Sequence, residues 1–407
     1  MANNKVISAD EAIALIRDND VVTTTGFVQS CIPEALHAAL EKRYVETQHP
    51  RDLTLIMTAG AGDSKGLGTG RFYHEGLLRR VIAANFGRMP KVAQAAQEEK
   101  ICGYNLPQGV ISQLYRACAS GQPGLFSKVG LYTYVDPRFG GGKVNERTKE
   151  DMVKYHNIQG EEWLFYIATK IDVAFIRGTS ADPSGNISME KEALVLDNLA
   201  QAMAARNNGG LVIAQVERIV EQGSIKPKDV HVPGVLVSAV VVAEEPELHR
   251  MNYGVMYNPA LAGEIRVPVE KLAKMPLDER KIIARRAAFE LPPNGVVNLG
   301  VGAPEGISAV ANEEKLLDKV KKSFIDYLDS VEDAVSKKKD RDIGNKAADK
   351  DIGSKAKDKD IVVKAQELEE DPTQEPAAAD TPAAQIQEPT YAAQPAAPVK
   401  TIALEDG

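Results

Sequence analysis

Two stretches of this chain repeat one design, and that repeat most restricts what it can fold into. Residues 21–40 read VVTTTGFVQSCIPEALHAAL and residues 296–311 read VVNLGVGAPEGISAVA. In each, two β-branched residues and a polar step lead into a Gly-rich turn, and Pro-Glu then opens an apolar helix. The approaches match too: DEAIALIRDND before the first copy and DERKIIARRAAFELPPNG before the second both predict a helix and a polar turn ahead of a strand. A strand that ends in a Gly-rich turn at a helix start points backbone N–H groups at whatever binds there. Pro33 and Pro304 suit the first helical position, where a missing N–H costs nothing. Glu34 and Glu305 then fall in the first turn, where the helix dipole favours an acid. The pattern predicts one complete α/β unit and the start of a similar second one that is not completed.

A chain of 407 residues allows two domains or more. Its formal net charge of −8 argues against a nucleic-acid partner. Cys31, Cys102 and Cys118 have no metal-type spacing, and an odd cysteine count behind MANNKVISADEA, which is no secretory signal, predicts reduced thiols and a cytoplasmic location. The longest apolar run, VLVSAVVVA at 235–243, is too short to span a bilayer. No membrane, no metal and no permanently bound cofactor is expected.

Ser8 and Glu11 form a capping box ahead of a helix over 9–17. Strands are predicted at 21–25, 53–58, 80–85, 172–177 and 235–243, and helices at 33–47, 90–99, 108–120 and 192–207. Residues 210–220 read as a strand pair, and 152–167 as a hairpin turning at Gln159-Gly160. Alternation of strand and helix predicts an α/β fold, a mostly parallel sheet with helices on both faces. Residues 59–72, AGAGDSKGLGTGRF, form a Gly-rich loop without the spacing of a P-loop or a dinucleotide fingerprint. Four segments are expected: an α/β domain over 1–275, a truncated second unit over 276–318, an amphipathic charged helix over 319–339 and a low-complexity, disordered tail over 340–407. The charged helix, extended back to 313, carries one apolar stripe at Leu317, Val320, Phe324, Leu328, Val331 and Val335. The tail opens on a nine-residue repeat, DRDIGNKAA, DKDIGSKAK, DKDIVVKAQ, and becomes rich in Pro, Ala and Gln, a composition that buries too little apolar area to offset its ordering entropy.

Six runs together resemble family I coenzyme A transferases, in particular the single-chain enzymes acting on short acyl groups such as acetate and propionate. They are VTTTGFVQSCIPEAL, FYHEGLLRRVIAANFG, YNLPQGVISQLYRACASGQPG, VDPRFGGGKVN, IRGTSADPSGNISMEKEA and IARRAAFELPPNGVVNLGVGAPEGISAVANEE. They follow the family's order from about residue 5 to residue 318, covering its first half and the start of its second. The resemblance implies two α/β halves with the active site between them. It implies covalent catalysis by a glutamate of the second half, which takes coenzyme A from an acyl-CoA as a glutamyl-CoA thioester and passes it to a short carboxylic acid. Coenzyme A is thus a substrate. Gln108 in NLPQG matches the oxyanion-stabilising glutamine; the bland alternative is that it caps the following helix. Gly26, Phe27 and Val28 match the acyl-side turn. Gly300, Val301, Gly302 and Ala303 match the turn against the CoA thioester end. A tight strand-to-helix turn of any α/β fold is compatible with both.

The resemblance stops where the family's nucleophile should follow. After ANEEKLLD the chain reads DKVKKSFIDYLDSVEDAVSKKKD, with neither a strand nor a Glu-x-Gly turn. No residue here is assigned as the nucleophile. Glu305 reads as a first-turn acid, Glu313 and Glu314 as solvated charges of a helix, and Cys31 as a buried structural thiol. Two functions follow: a CoA-transferase that needs a complementing second-half chain or acts as a homo-oligomer, or a non-catalytic fragment acting as a binding protein.

Overall fold

The computed structural model describes residues 4–268, 273–292, 296–300 and 302–314. Ser8 and Glu11 close the expected capping box at the start of α1 (Ala9–Ala14). Then follow β1 (Val21–Thr24), α2 (Glu34–Thr47), β2 (Leu53–Met57), β3 (Leu78–Ala83), α3 (Pro90–Gln97), β4 (Cys102–Asn105) and α4 (Gln108–Ala119). The chain continues through β5 (Gly124–Ser127), β6 (Val153–Ile158), β7 (Glu161–Ile167), β8 (Val173–Arg177), β9 (Ser180–Ala181) and β10 (Ile187–Ser188). The last elements are α5 (Asn198–Asn207), β11 (Leu211–Val216), β12 (Arg218–Ile219), β13 (Ala239–Val242), α6 (Glu279–Ala288) and α7 (Gly306–Glu313).

Seven strands form one sheet in the order β13-β11-β8-β1-β2-β3-β4, parallel throughout. Alternate strand residues feed two separate cores. Val22, Leu55, Val81, Phe175 and Ile213 pack with α1, α2 and α3 on one face. Val21, Ile56, Ile82, Ala174 and Val212 pack with α4 and α5 on the other. That is the expected α/β architecture, and it explains why the strands read as continuous apolar runs. The chain builds outward from β1 to β4, then returns to β8 beside β1 and builds the other way. The order reverses between β1 and β8, and ligands of such sheets bind at the carboxyl ends of strands at that point.

The hairpin forms as expected: β6 and β7 pair antiparallel, and Gln159 and Gly160 both take positive φ, as a primed two-residue turn requires. β5 joins them on the other side, making a three-stranded sheet that the sequence did not announce. Residues 192–197 are not helical; α5 starts at Asn198 because Glu192 turns inward to a buried partner, described below. Pro33 is the N-cap of α2 rather than its first helical residue, and Pro304 lies in a short 3-10 turn before α7.

The second copy departs most. Its helices form: α6 is capped by Asp278, and α6 and α7 enclose Ala284, Ala288 and Val310 as a small core of their own. Residues 296–300 form no strand, and Val296 is fully exposed. A strand needs a neighbour's N–H and C=O groups, and among the described residues none pairs with this segment. Glu313 and Glu314 are not solvated helix charges. Glu313 binds the buried Lys281 ammonium at 2.5 Å and Glu314 binds Arg285, tying α7 to α6. The helix expected beyond residue 314, the nine-residue repeat and the tail lie outside the described residues.

One buried group ties this core to pH. His37 of α2 is fully buried, with Nε2 2.8 Å from Thr24 Oγ1. Burial, aided by the Arg71 charge, lowers its pKa from 6.5 to about 3. The folded protein therefore keeps His37 neutral while the unfolded chain takes up a proton. The stability this contributes is present above pH 6.5 and is lost as pH falls from there toward 3. The slope is at most about 1.4 kcal/mol per pH unit for one histidine. Urea midpoints measured between neutral and mildly acidic pH should fall steadily, and His37→Gln should flatten the curve by that one-proton share. An unchanged slope in the variant would mean that His37 titrates normally in the fold.

Candidate active site

The site begins where β1 ends. Gly26 has φ +139, and a Cβ there would stand 2.8 Å from Ala61 Cβ and 3.1 Å from Ile32 Cγ1, so only glycine lets this turn lie against the segment after β2. Phe27 and Ser30 exchange backbone hydrogen bonds of 3.0 and 2.9 Å, and the Val28 carbonyl accepts from Gly62 N at 2.7 Å. The Gly-rich loop after β2 is thereby stitched to the turn after β1. Glu34, in the first turn of α2, completes the stitch. Its carboxylate accepts from Gly68 N at 2.9 Å, Arg71 Nε at 2.7 Å and the Tyr253 hydroxyl at 2.6 Å. Glu34 thus sits in the first helical turn as expected and also ties the Gly-rich loop and Tyr253 to α2.

Gln108 is the first residue of α4. It does not cap that helix, because Pro107 is the N-cap and no side-chain cap bond forms. The Gln108 side chain is exposed and has no hydrogen-bond partner among the described residues. The body of α4 is fixed: Thr23 Oγ1 donates to the Tyr115 hydroxyl at 2.9 Å. Asp197 fixes it further, accepting from Ser112 Oγ at 2.8 Å and Arg116 Nη1 at 3.1 Å on α4, and from Thr58 Oγ1 at 3.0 Å beyond β2. Gly26, Phe27 and Gln108 open onto one cleft of about 300 Å³, walled by Thr58, Asp197 and Gln201. Val28 does not line this cleft. Gly300, Gly302 and Ala303 do not line it either, and Val301 lies outside the described residues.

Beneath the turn lies a charged group that the sequence reading missed. Arg177, at the end of β8, donates from Nε to Glu192 at 3.0 Å, from Nη1 to Ile32 O at 3.0 Å and from Nη2 to His249 O at 3.2 Å. Arg177 and Glu192 are both buried. Burial alone would raise the Glu192 carboxyl, but the charges of Arg177 and His249 hold it below the usual range. Gln215 of β11 braces the same region. Its Oε1 accepts from Ala35 N at 2.8 Å, and its Nε2 donates to Leu248 O at 2.8 Å and lies 3.0 Å from His249 Nδ1. Cys31 sits in this cluster, buried, with its thiol pushed up by burial and then by Glu192, so it stays protonated and structural. The only sequence signal for the cluster was Arg177 and Glu192 flanking a turn-rich run, which does not reveal a buried pair.

Among the described residues, no group of His, Cys, Asp and Glu is placed to hold a metal. No helix among them is long and apolar enough to cross a membrane.

Residues 6–243 match the model of the Coenzyme A transferase family. The chain is 43% identical over 316 residues to the caffeate CoA-transferase of Acetobacterium woodii, covering 78% of this chain and 60% of that protein. It is 39% identical over 314 residues to the acetate CoA-transferase YdiF of Escherichia coli K12, covering 77% and 59%. The structure aligns with a crystal structure of YdiF from E. coli O157:H7, a thioester complex with CoA, at a TM-score of 0.72 and 38% identity, covering 78% of this chain and 60% of that one. The chain thus spans about 60% of the length of the relatives it matches. With a matched model over more than half its length and relatives near 40% identity, this chain belongs to the coenzyme A transferase family.

Proposed function

We propose that this chain supplies the first half of a site that moves coenzyme A between a short acyl-CoA and a carboxylic acid. Residues 1–275 are the first-half domain and 276–318 the start of the second; the segments expected at 319–339 and 340–407 lie outside the described residues. The nucleophilic glutamate comes from a second half that is not among these 407 residues. Its carboxylate attacks the thioester carbonyl and expels CoA thiolate, leaving a mixed anhydride. The thiolate then attacks the glutamyl carbonyl and frees the first acid, giving glutamyl-CoA; the second acid reverses both steps. Each addition creates an oxyanion. The Gln108 amide, without a partner among the described residues at the cleft it shares with Gly26 and Phe27, is the donor for it. That unpaired amide is the observation on which this reading rests. The CoA end of the site is assigned to Gly300, Val301, Gly302 and Ala303, which meet the thioester when the second half is in place. Three unpaired cysteines fit work in the cytoplasm.

The test compares the chain alone with the chain mixed with a polypeptide carrying the part of YdiF beyond the matched region. Alone it should exchange no label between acetyl-CoA and propionate and carry no CoA adduct. The mixture should exchange label and show a hydroxylamine-sensitive adduct on the added polypeptide. An adduct on this chain alone overturns the assignment of the nucleophile. A complex that forms without exchange favours the binding-protein reading instead.

A further inference from the structure

The cleft shared by Gly26, Phe27 and Gln108 has a charge polarity that the transfer reaction does not require. Asp197 lies on its wall, and none of the described residues lining it is a lysine, arginine or histidine. The neutral donors of that wall are spent on the same acid. Thr58 Oγ1 donates to Asp197 Oδ2 at 3.0 Å and Ser112 Oγ to Oδ1 at 2.8 Å, so neither hydroxyl proton is left for a ligand. Gln201 also presents an acceptor. Its Nε2 donates to Thr24 O at 3.1 Å, which fixes the orientation of the amide. Its buried Oε1 has no partner among the described residues. Arg116 donates to Asp197 Oδ1 at 3.1 Å, but it does not line the cleft, and its side chain is 56% exposed against 14% for Asp197. Water screens the guanidinium more than the carboxylate, so the charge that a ligand meets is negative.

The position of that charge follows from α4. Gln108 and Ser112 are four residues apart on this helix, about 6 Å or one turn. In the transfer reading the reacting carbonyl lies at Gln108, at the start of the helix, where the dipole favours negative charge. Asp197, bound to Ser112, lies one turn further along. The cleft thus welcomes an oxyanion at one end and repels one at the other. A four-carbon acid bound with its carboxyl at Gln108 brings its far end to Asp197. Butyrate places a methyl group there and succinate a second carboxylate. That carboxylate would leave water, find no free hydroxyl donor on Thr58 or Ser112, and face a like charge.

We propose that Asp197 is the specificity-determining residue of this half: it admits acids with an uncharged tail and excludes those that carry a second carboxylate. The inference rests on the transfer reading above, and the experiment separates the two. The full chain, mixed with the YdiF polypeptide of the previous test, is assayed with labelled acetyl-CoA and three acceptors of similar length. These are butyrate, succinate and succinamate, in which a neutral amide replaces the second carboxylate. The parent should use butyrate and succinamate and discriminate against succinate by roughly 100-fold in kcat/KM. Asp197→Asn should narrow that ratio by roughly 10-fold or more, mainly through the KM for succinate. Arg116→Gln breaks the same ion pair from its other side, leaves the acid less compensated and should widen the ratio. A purely structural pair would instead move both variants in one direction, and equally for all three acids. If no acceptor is used, the transfer reading falls and this inference falls with it. Exchange onto butyrate with succinate used as readily as succinamate, or with a ratio that Asp197→Asn leaves unchanged, overturns the role of Asp197 alone.

Discussion

Arg177→Met should destabilise the protein by about 3–5 kcal/mol, the cost of leaving one member of a buried ion pair uncompensated. The guanidinium reaches three elements at once: Glu192, the Ile32 carbonyl before α2 and the His249 carbonyl. Its removal strands a carboxylate that burial already disfavours. At about 2–4 °C per kcal/mol, the midpoint of thermal unfolding should drop by roughly 6–20 °C. Adding Glu192→Gln should recover part of the loss, because the double variant buries no net charge. The sign of the pH dependence follows from Glu192. Its carboxyl is held below the usual range in the folded state, so its contribution is present above that range and lost as pH falls through the folded value. The gap between parent and Arg177→Met should therefore narrow in acid. A gap under 1 kcal/mol at neutral pH, set against the roughly 3 kcal/mol minimum, would mean that the His249 side of the cluster already neutralises Glu192.

Gln108→Ala should lower the rate of coenzyme A exchange by roughly 100-fold or more, the scale for losing one oxyanion donor. The measurement is made on the chain combined with its complementing half. Since the Gln108 side chain neither caps α4 nor bonds to another described residue, truncating it should leave the melting temperature and the assembly unchanged. Rate loss without stability loss is what separates a donor from a structural residue. An unaltered rate in an intact complex would remove Gln108 from the chemistry. Gln108→Glu is the complementary variant. It places a negative charge where the oxyanion forms and should be at least as damaging as alanine.

The sheet was readable because its strands are parallel and buried on both faces, so runs such as VAFIR in β8 and AVVV in β13 stay mostly apolar. The Gln159-Gly160 turn was readable because a two-residue hairpin needs positive φ at both positions. The antiparallel partner β5 was not, since GLFS is too short to show a period. Glu192 looked like a helix position because a carboxylate that turns inward to an arginine 15 residues away has no local signature. The segment 296–300 copies the composition of β1 but has no strand partner among the described residues, and composition does not supply a ladder. Of the residues assigned to the site, Gly26, Phe27 and Gln108 converge because the β1 turn and the start of α4 meet at one cleft. Asp197, which holds that helix in place, was invisible because its three partners lie 81 to 139 residues away.

Gln215 has a consequence for how tightly this half can hold a ligand. Its one amide occupies the donors at the start of α2 and the carbonyl of Leu248, and it does so from β11, the second strand of the sheet. The Gly26–Phe27–Val28 turn is thus held in its final shape before anything enters the cleft. The ordering entropy of that turn, of the order of 1–2 kcal/mol per residue, is spent when the chain folds and not when substrate arrives. A small acid offers few contacts to offset such a cost. On a preorganised turn, those few contacts count in full toward affinity.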